Sequence, residues 1–220
     1  MPNPRPAALQ LLPLDQYVGV NRADPIRFYR WPIVGRAYRR RVEMCLAECG
    51  TGDRILEVGF GSGVTFPNLA TAYREIHGLD LTADVAAVAA MFAARGITTD
   101  LRNGSVLAMP YPDGHFDAVL LISILEHLRP AELPAAFAEI ARVLRPGGRV
   151  VYGVPVERQL MVLAFRLLGY DIREHHFSTE DDVASAVATV GTLSAVRRVP
   201  MYAGLRAIGP VYEVGVATRT

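Results

Sequence analysis

Residues 54–63 read Arg54-Ile55-Leu56-Glu57-Val58-Gly59-Phe60-Gly61-Ser62-Gly63, a short aliphatic run that stops at glycines spaced two apart. The run predicts a buried strand and the glycines a sharp turn from strand to helix, where the backbone can approach a ligand without side chains in the way. A dinucleotide fingerprint, Gly-x-Gly-x-x-Gly or Ala, needs its last small residue where this chain has Val64. Glu57 also sets a carboxylate beside the loop, which suits a ligand with a cationic end better than a pyrophosphate.

Outward from this turn, strands and helices alternate. Ahead of it, Val34, Tyr38, Val42, Cys45 or Leu46, and Cys49 share one helical stripe, with Arg36, Arg39, Arg40, Glu43 and Glu48 on other faces. The arginines at 39 to 41 are read as a solvated face, with a phosphate or lipid site as the other reading, and Phe28, Tyr29 and Trp31 as packing for this helix, with a cover over the ligand as the other reading. After the turn come a strand over 75–80, a helix capped by Thr82 and stopped by Gly96, and a strand over 99–103. Phe116 to Ser123 is nearly continuous apolar sequence, as in a central parallel strand covered on both faces. A helix bearing Leu133, Phe137, Ile140 and Leu144 then runs to Pro146-Gly147-Gly148, followed by a strand over 149–154.

This alternation predicts an α/β fold, a doubly wound and mostly parallel sheet of seven strands with helices on both faces and an antiparallel strand near the carboxyl terminus. Beyond Pro155 the pattern predicts an apolar helix over 157–168, a helix opened by Ser178, and strands over 193–199 and 211–217. The chain divides as one domain: a helical cap over 1–53, a core over 54–154, a helical insert over 155–192 and closing strands over 193–220. At 220 residues there is room for one well-buried core.

The 23 basic and 22 acidic residues nearly cancel, which disfavours nucleic acid as a partner. Every basic residue is arginine. No apolar run approaches the roughly 20 residues of a spanning helix, and no secretory leader is expected, so integral membrane association is not expected and the setting reads as cytoplasmic. Cys45 and Cys49, four apart on a helix, are read as core packing, with no metal site. Asp80 ends its strand 17 residues beyond Gly63, where an acid reaches ribose hydroxyls; a turn or helix-capping aspartate is the other reading.

Together Ile55 to Gly63, His77 to Leu81, Met109 to Asp113 with Phe116-Asp117, Glu126-His127-Leu128 and Arg142 to Gly148 resemble the class I S-adenosylmethionine-dependent methyltransferases, nearest the ubiquinone- and sterol-methyltransferase-like group acting on small molecules. The resemblance covers roughly residues 54–154. It implies S-adenosyl-L-methionine as cofactor and methyl transfer to an oxygen, nitrogen or carbon of a small-molecule acceptor. It further implies that Gly59, Phe60, Gly61 and Gly63 line the cofactor path, that Asp80 binds the ribose and that Leu81 packs on the adenine.

On the same resemblance, Glu57 acts mostly through the loop and its amides. Gly104-Ser105-Val106 stands where many relatives carry Gly-Asp-Ala against the adenine, and Ser123 stands where relatives touch the methionine part and the substrate, with a plain strand-terminating serine as the other reading. His127, His175 and His176 are the candidates for proton transfer, because histidine titrates near neutral pH. Two rival readings keep to this sequence: a cofactor-binding protein of the same fold that does not methylate, and a partner or membrane-binding module using the basic helix and the apolar stretch over 160–168.

Overall fold

The computed structural model describes residues 8–19, 25–156, 177–202 and 209–220. The helix expected over 157–168 and the candidates His175 and His176 lie outside the described residues. A 3-10 turn (Pro25–Arg30) leads into α1 (Pro32–Cys49). Then follow β1 (Gly52–Val58), the single turn α2 (Phe66–Leu69), β2 (Tyr73–Asp80), α3 (Val85–Ala93), β3 (Thr99–Asn103) and β4 (Phe116–Ile122). A 3-10 turn (Leu125–His127), α4 (Leu133–Val143), β5 (Leu144–Pro155), α5 (Glu180–Ala188), β6 (Arg197–Met201) and β7 (Tyr212–Thr218) complete the described elements.

The strands form one seven-stranded sheet in the order β3-β2-β1-β4-β5-β7-β6. Strands β1 to β5 pair in parallel, and β7 runs antiparallel between β5 and β6. The chain steps outward from β1 to β3 and then returns to place β4 against β1. That reversal opens a crevice at the carboxyl ends of β1 and β4, where open α/β sheets take their ligands.

Alternation of side chains along the strands supplies two core faces. Ile55, Ala118, Leu120 and Val151 pack with Val42, Cys45 and Cys49 of α1 and Val88 and Phe92 of α3. Leu56, Val58, Val119, Leu121 and Val150 pack on the opposite face with Phe137 and Ile140 of α4 and Val183 and Val187 of α5. Both cysteines are free and buried, as expected of core residues. The segment over 8–19 straps the first face: the Leu9 amide donates to Glu43 Oε1 (3.1 Å) and the Gln10 amide to Asn68 Oδ1 (2.8 Å).

Several boundaries differ from expectation, each for a local reason. Asp84, not Thr82, caps α3, its carboxylate accepting the Ala87 amide, while Thr82 is drawn into the turn made by Asp80. Thr179, not Ser178, caps α5 through a reciprocal box with Asp182; the Ser178 hydroxyl instead donates to the Leu128 carbonyl. Pro146-Gly147-Gly148 does not follow α4 directly. It forms an irregularity inside β5, since Phe116 pairs with Leu144 and Ala118 with Arg149. Leu193, expected to open β6, makes only an isolated bridge to Arg219.

Candidate active site

The crevice is built from the ends of β1, β2 and β4. Gly59, Gly61 and Gly63 all have positive φ (73°, 53° and 74°), which L side chains adopt only with strain. A Cβ on Gly59 would lie 2.0 Å from Ile124 Cδ1, so this glycine lets the segment after β4 close directly on the loop. The Gly59 amide donates to the Leu79 carbonyl (2.7 Å) and the Gly61 amide to Asp80 Oδ2 (3.0 Å). Asp80 Oδ1 meanwhile accepts the amides of Thr82 (2.8 Å) and Ala83 (2.9 Å).

Asp80 is thus a turn-forming carboxylate as well as a residue of the crevice. Of the roughly four acceptor directions of a carboxylate, these amides take three, leaving one on Oδ2. The Gly104 amide donates to the Asp80 carbonyl (3.0 Å), which brings the third strand's exit to the same edge. Beside it Leu81 is 71% exposed. Ser105 Oγ accepts the Leu107 amide (3.2 Å), and the Val106 side chain is buried in the core. The Phe60 ring is also buried, 5.8 Å from the Phe66 ring, so only its backbone faces the loop's own turn.

Glu57 is only 3% exposed, and its Oε2 accepts the Thr65 hydroxyl. Burial pushes its carboxyl up to about 8; the Thr65 hydrogen bond opposes the rise and the neighbouring Asp80 charge adds to it. No cationic side chain among the described residues forms an ion pair with it. Thr65 lies eight residues beyond Glu57, past the whole loop, so the hydroxyl has no sequence signal as its partner.

At the end of β4, Ser123 holds φ at 57°, the one described non-glycine residue with positive φ. Its amide donates to the Gly153 carbonyl (2.8 Å), and its Oγ lies 3.1 Å from Tyr212 Oη. A Cβ on Gly153 would stand 2.4 Å from that Tyr212 hydroxyl, so glycine at 153 is what lets the tyrosine cross β5 to reach Ser123. Arg41 Nη1 donates to Ser123 Oγ (3.3 Å), and the Arg41 guanidinium lies 3.9 Å from the centre of the Tyr38 ring.

The reading of 39–41 as a solvated face is therefore corrected: Arg40 is exposed, but Arg41 turns inward. Its position, three after Tyr38 and four before Cys45, borders the apolar stripe and was the available signal. Tyr212 and Ile124 border the crevice and were missed by sequence reasoning, and Arg41 was read there only within the run 39–41. Phe28 packs on Tyr38 with ring centres 5.0 Å apart, while Trp31 stands 59% exposed.

His127 sits exposed on the 3-10 turn after β4. The Glu126 carbonyl in the same turn accepts the Phe177 amide (2.8 Å), which ties Phe177 to this edge. Among the described residues no cluster of three or more His, Cys, Asp or Glu side chains is set to hold a metal ion, and no helix is long and apolar enough to cross a membrane.

Residues 56–152 match the methyltransferase domain family. A demethylmenaquinone methyltransferase of Tropheryma whipplei is 31% identical over 117 residues, 52% of this chain and 47% of that protein. The chain spans about half the length of the curated relatives it matches. Among solved structures, the N-methyltransferase NodS of Bradyrhizobium japonicum, in complex with S-adenosylhomocysteine, superposes with a TM-score of 0.66 at 17% identity, over 94% of this chain and 96% of that one. The [4+2]-cyclase SpnF superposes at 0.67 and 19% identity over 97% and 88%. The last two show the fold alone. Residues 56–152, under half of the chain, thus match a methyltransferase domain, and the seven-stranded sheet that holds them shares the fold of solved class I methyltransferases.

Proposed function

We propose that this protein transfers the methyl group of S-adenosylmethionine to an oxygen, nitrogen or carbon of a small molecule, releasing S-adenosylhomocysteine. The observation that carries the proposal is the pair of carboxylates at adjacent strand ends on either side of the glycine loop. Glu57 is buried without a cationic partner among the described residues, and Asp80 keeps one open acceptor direction. A ligand with an ammonium, a sulfonium and a ribose diol compensates the first and uses the second. A pyrophosphate would leave Glu57 neutral and gain no ion pair from it.

The donor's sulfonium supplies the activated methyl; the chain's residues hold and orient the two reactants and exclude water. In this reading Gly59, Gly61 and Gly63 keep the path clear, the open face of Leu81 takes the adenine, Gly104, Ser105 and the Val106 amide border it, and Ser123 faces the methionine part. Phe60 contributes its backbone. The division of one domain into a cap over 1–53, a core over 54–154, an insert over 155–192 and closing strands, with cap and insert as the expected source of the acceptor pocket, belongs to the same proposal, as do a small-molecule acceptor and a cytoplasmic setting.

Where the acceptor is a hydroxyl, one of His127, His175 and His176 takes its proton. Alanine at the responsible histidine lowers turnover by about 10²–10⁴-fold with cofactor affinity unchanged. The test is S-adenosylhomocysteine release from candidate acceptors by the wild type and the three single variants. Turnover unchanged in all three removes a histidine base, and no methylated product from any acceptor class, with the cofactor bound, favours a non-methylating role for the fold.

Glu57 gives the proposal a pH signature. Its folded-state pKa of about 8 lies above the ordinary 4.5, so the native chain holds a proton that the unfolded chain releases between those values. Stability contributed by the neutral form is full below the lower value and is lost as pH rises through the upper one. Burial lowers His77 and His115, which act in the opposite sense below about pH 6.5, and raises Cys45 and Cys49, which act in the same sense from about pH 8 upward, so among the described residues Glu57 dominates between about pH 7 and pH 8. Thermal melts of the ligand-free wild type are expected to fall across that interval and those of Glu57→Gln to fall much less. A bound cation should ionise Glu57, so S-adenosylmethionine binding at pH 7 is expected to release a proton in the wild type and none in the variant. Calorimetry in two buffers of different ionisation enthalpy reads this directly.

A further inference from the structure

Beyond the cofactor loop, on the far side of Ser123, the crevice carries a positive charge that the cofactor reading does not use. Arg41 is partly buried on α1, and among the described residues no carboxylate forms an ion pair with it. Its Nη1 spends one hydrogen bond on Ser123 Oγ (3.3 Å), and its Nε is buried without an acceptor. The guanidinium carbon lies over the Tyr38 ring, 3.9 Å from its centre, and 5.9 Å from the centre of the Tyr212 ring. Arginine stacked on an aromatic face and fixed at one end is a rigid fork, and the free edge of such a fork matches the two oxygens of a carboxylate or phosphate.

A packing role does not need this arrangement. Burying a guanidinium without a counter-ion is unfavourable, and an aliphatic side chain would cover Tyr38 without that penalty. Ser123, moreover, adopts positive φ, a strained conformation for serine, while its hydroxyl bridges Arg41 and Tyr212. The next residue, Ile124, closes on Gly59, so the fork sits at the end of β4 beside the proposed methyl donor. Phe28, Tyr38 and Tyr212 give it an aromatic surround.

We propose that the methyl acceptor is an organic oxyanion, a carboxylic acid or a phosphate ester with an apolar body, and that Arg41 binds its anionic group. This rests on the methyltransferase reading and deepens it. The acceptor's oxyanion pairs with Nε and the guanidinium edge facing away from Ser123, and its apolar body lies along the aromatic rings. Ser123 and Tyr212 act as positioning residues that fix the fork.

The test is a calorimetric titration of the S-adenosylhomocysteine-loaded protein with two matched sets: phenylacetate, phenyl phosphate and 2-phenylethanol; and octanoate, octyl phosphate and octan-1-ol. In at least one set an oxyanion is expected to bind about ten-fold or more tighter than its alcohol, with the carboxylate and phosphate members reporting which anion is preferred. In Arg41→Met that preference is expected to fall to within about two-fold, and Arg41→Lys, which keeps the charge but not the fork, to retain part of it. The S-adenosylhomocysteine affinity of each variant shows that its site is folded. Alcohols binding as well as the oxyanions, no oxyanion binding at millimolar concentration, or a preference that survives Arg41→Met in a variant that still binds S-adenosylhomocysteine would each overturn the proposal. Failure of the wild type to bind S-adenosylhomocysteine overturns instead the reading on which it rests.

Discussion

Alanine at Asp80 is expected to weaken S-adenosylhomocysteine binding by about 10–100-fold, the usual range for losing hydrogen bonds to a charged acceptor. The structure adds a second effect. Asp80 accepts the amides of Gly61, Thr82 and Ala83, so its removal strips three backbone donors of a partner and unties the glycine loop from the end of β2. The ligand-free variant should therefore lose on the order of 1–3 kcal/mol of stability. Asp80→Asn separates the two roles. Its carbonyl oxygen can keep the Thr82 and Ala83 amides, while its amino group opposes the Gly61 N–H, so stability should largely return and affinity should not. Equal affinity in all three proteins would remove Asp80 from the ribose site and leave it a turn residue.

Gly59→Ala is expected to be strongly damaging. The added Cβ meets Ile124 Cδ1 at 2.0 Å, and the backbone at φ 73° is itself unfavourable for alanine. The clash and the strain together should destabilise the fold by about 2–4 kcal/mol and reduce cofactor binding by more than the Asp80 variant does. The double variant Gly59→Ala with Ile124→Ala checks the cause. It should recover most of the loss and leave about 1–2 kcal/mol for the backbone conformation, once the separate effect of Ile124→Ala is subtracted in a double-mutant cycle. No recovery would mean that the positive φ, not the approach of the β4 exit, is what requires glycine.

Much of the sheet was legible because its signals are local. The run over 54–58, the apolar stretch from Phe116 and the stripe of Leu133, Phe137 and Ile140 each declare their own element, and their alternation declares the layering. The two helix caps were misplaced by one or two residues because Thr82 and Ser178 have the right chemistry but serve neighbouring hydrogen bonds, which only the tertiary turn decides. Glu57, Gly59, Gly61 and Asp80 were expected in the site from the glycine spacing and the downstream acid, and the structure gathers them at one edge. The hydroxyl of Thr65 on Glu57 and the triple use of Asp80 depend on the closed loop, so no spacing announces them.

Arg41 was not singled out, for a different reason. In sequence it is one of three consecutive arginines on an amphipathic helix, and such a run normally faces water. What turns it inward is the pairing of Tyr38 one turn earlier with Ser123 and Tyr212, which lie 82 and 171 residues away and meet only because Gly153 opens β5 to the tyrosine. Long-range convergence of this kind on one side chain has no periodicity to reveal it.

The most direct measurement of the proposed cofactor chemistry is calorimetric titration of the purified chain with S-adenosylmethionine, S-adenosylhomocysteine and NAD in parallel. The buried, uncompensated Glu57 and the open acceptor on Asp80 lead us to expect saturable binding of the first two and none of NAD. Binding of NAD in preference to both, or binding of neither S-adenosyl compound, would contradict the assignment of this crevice.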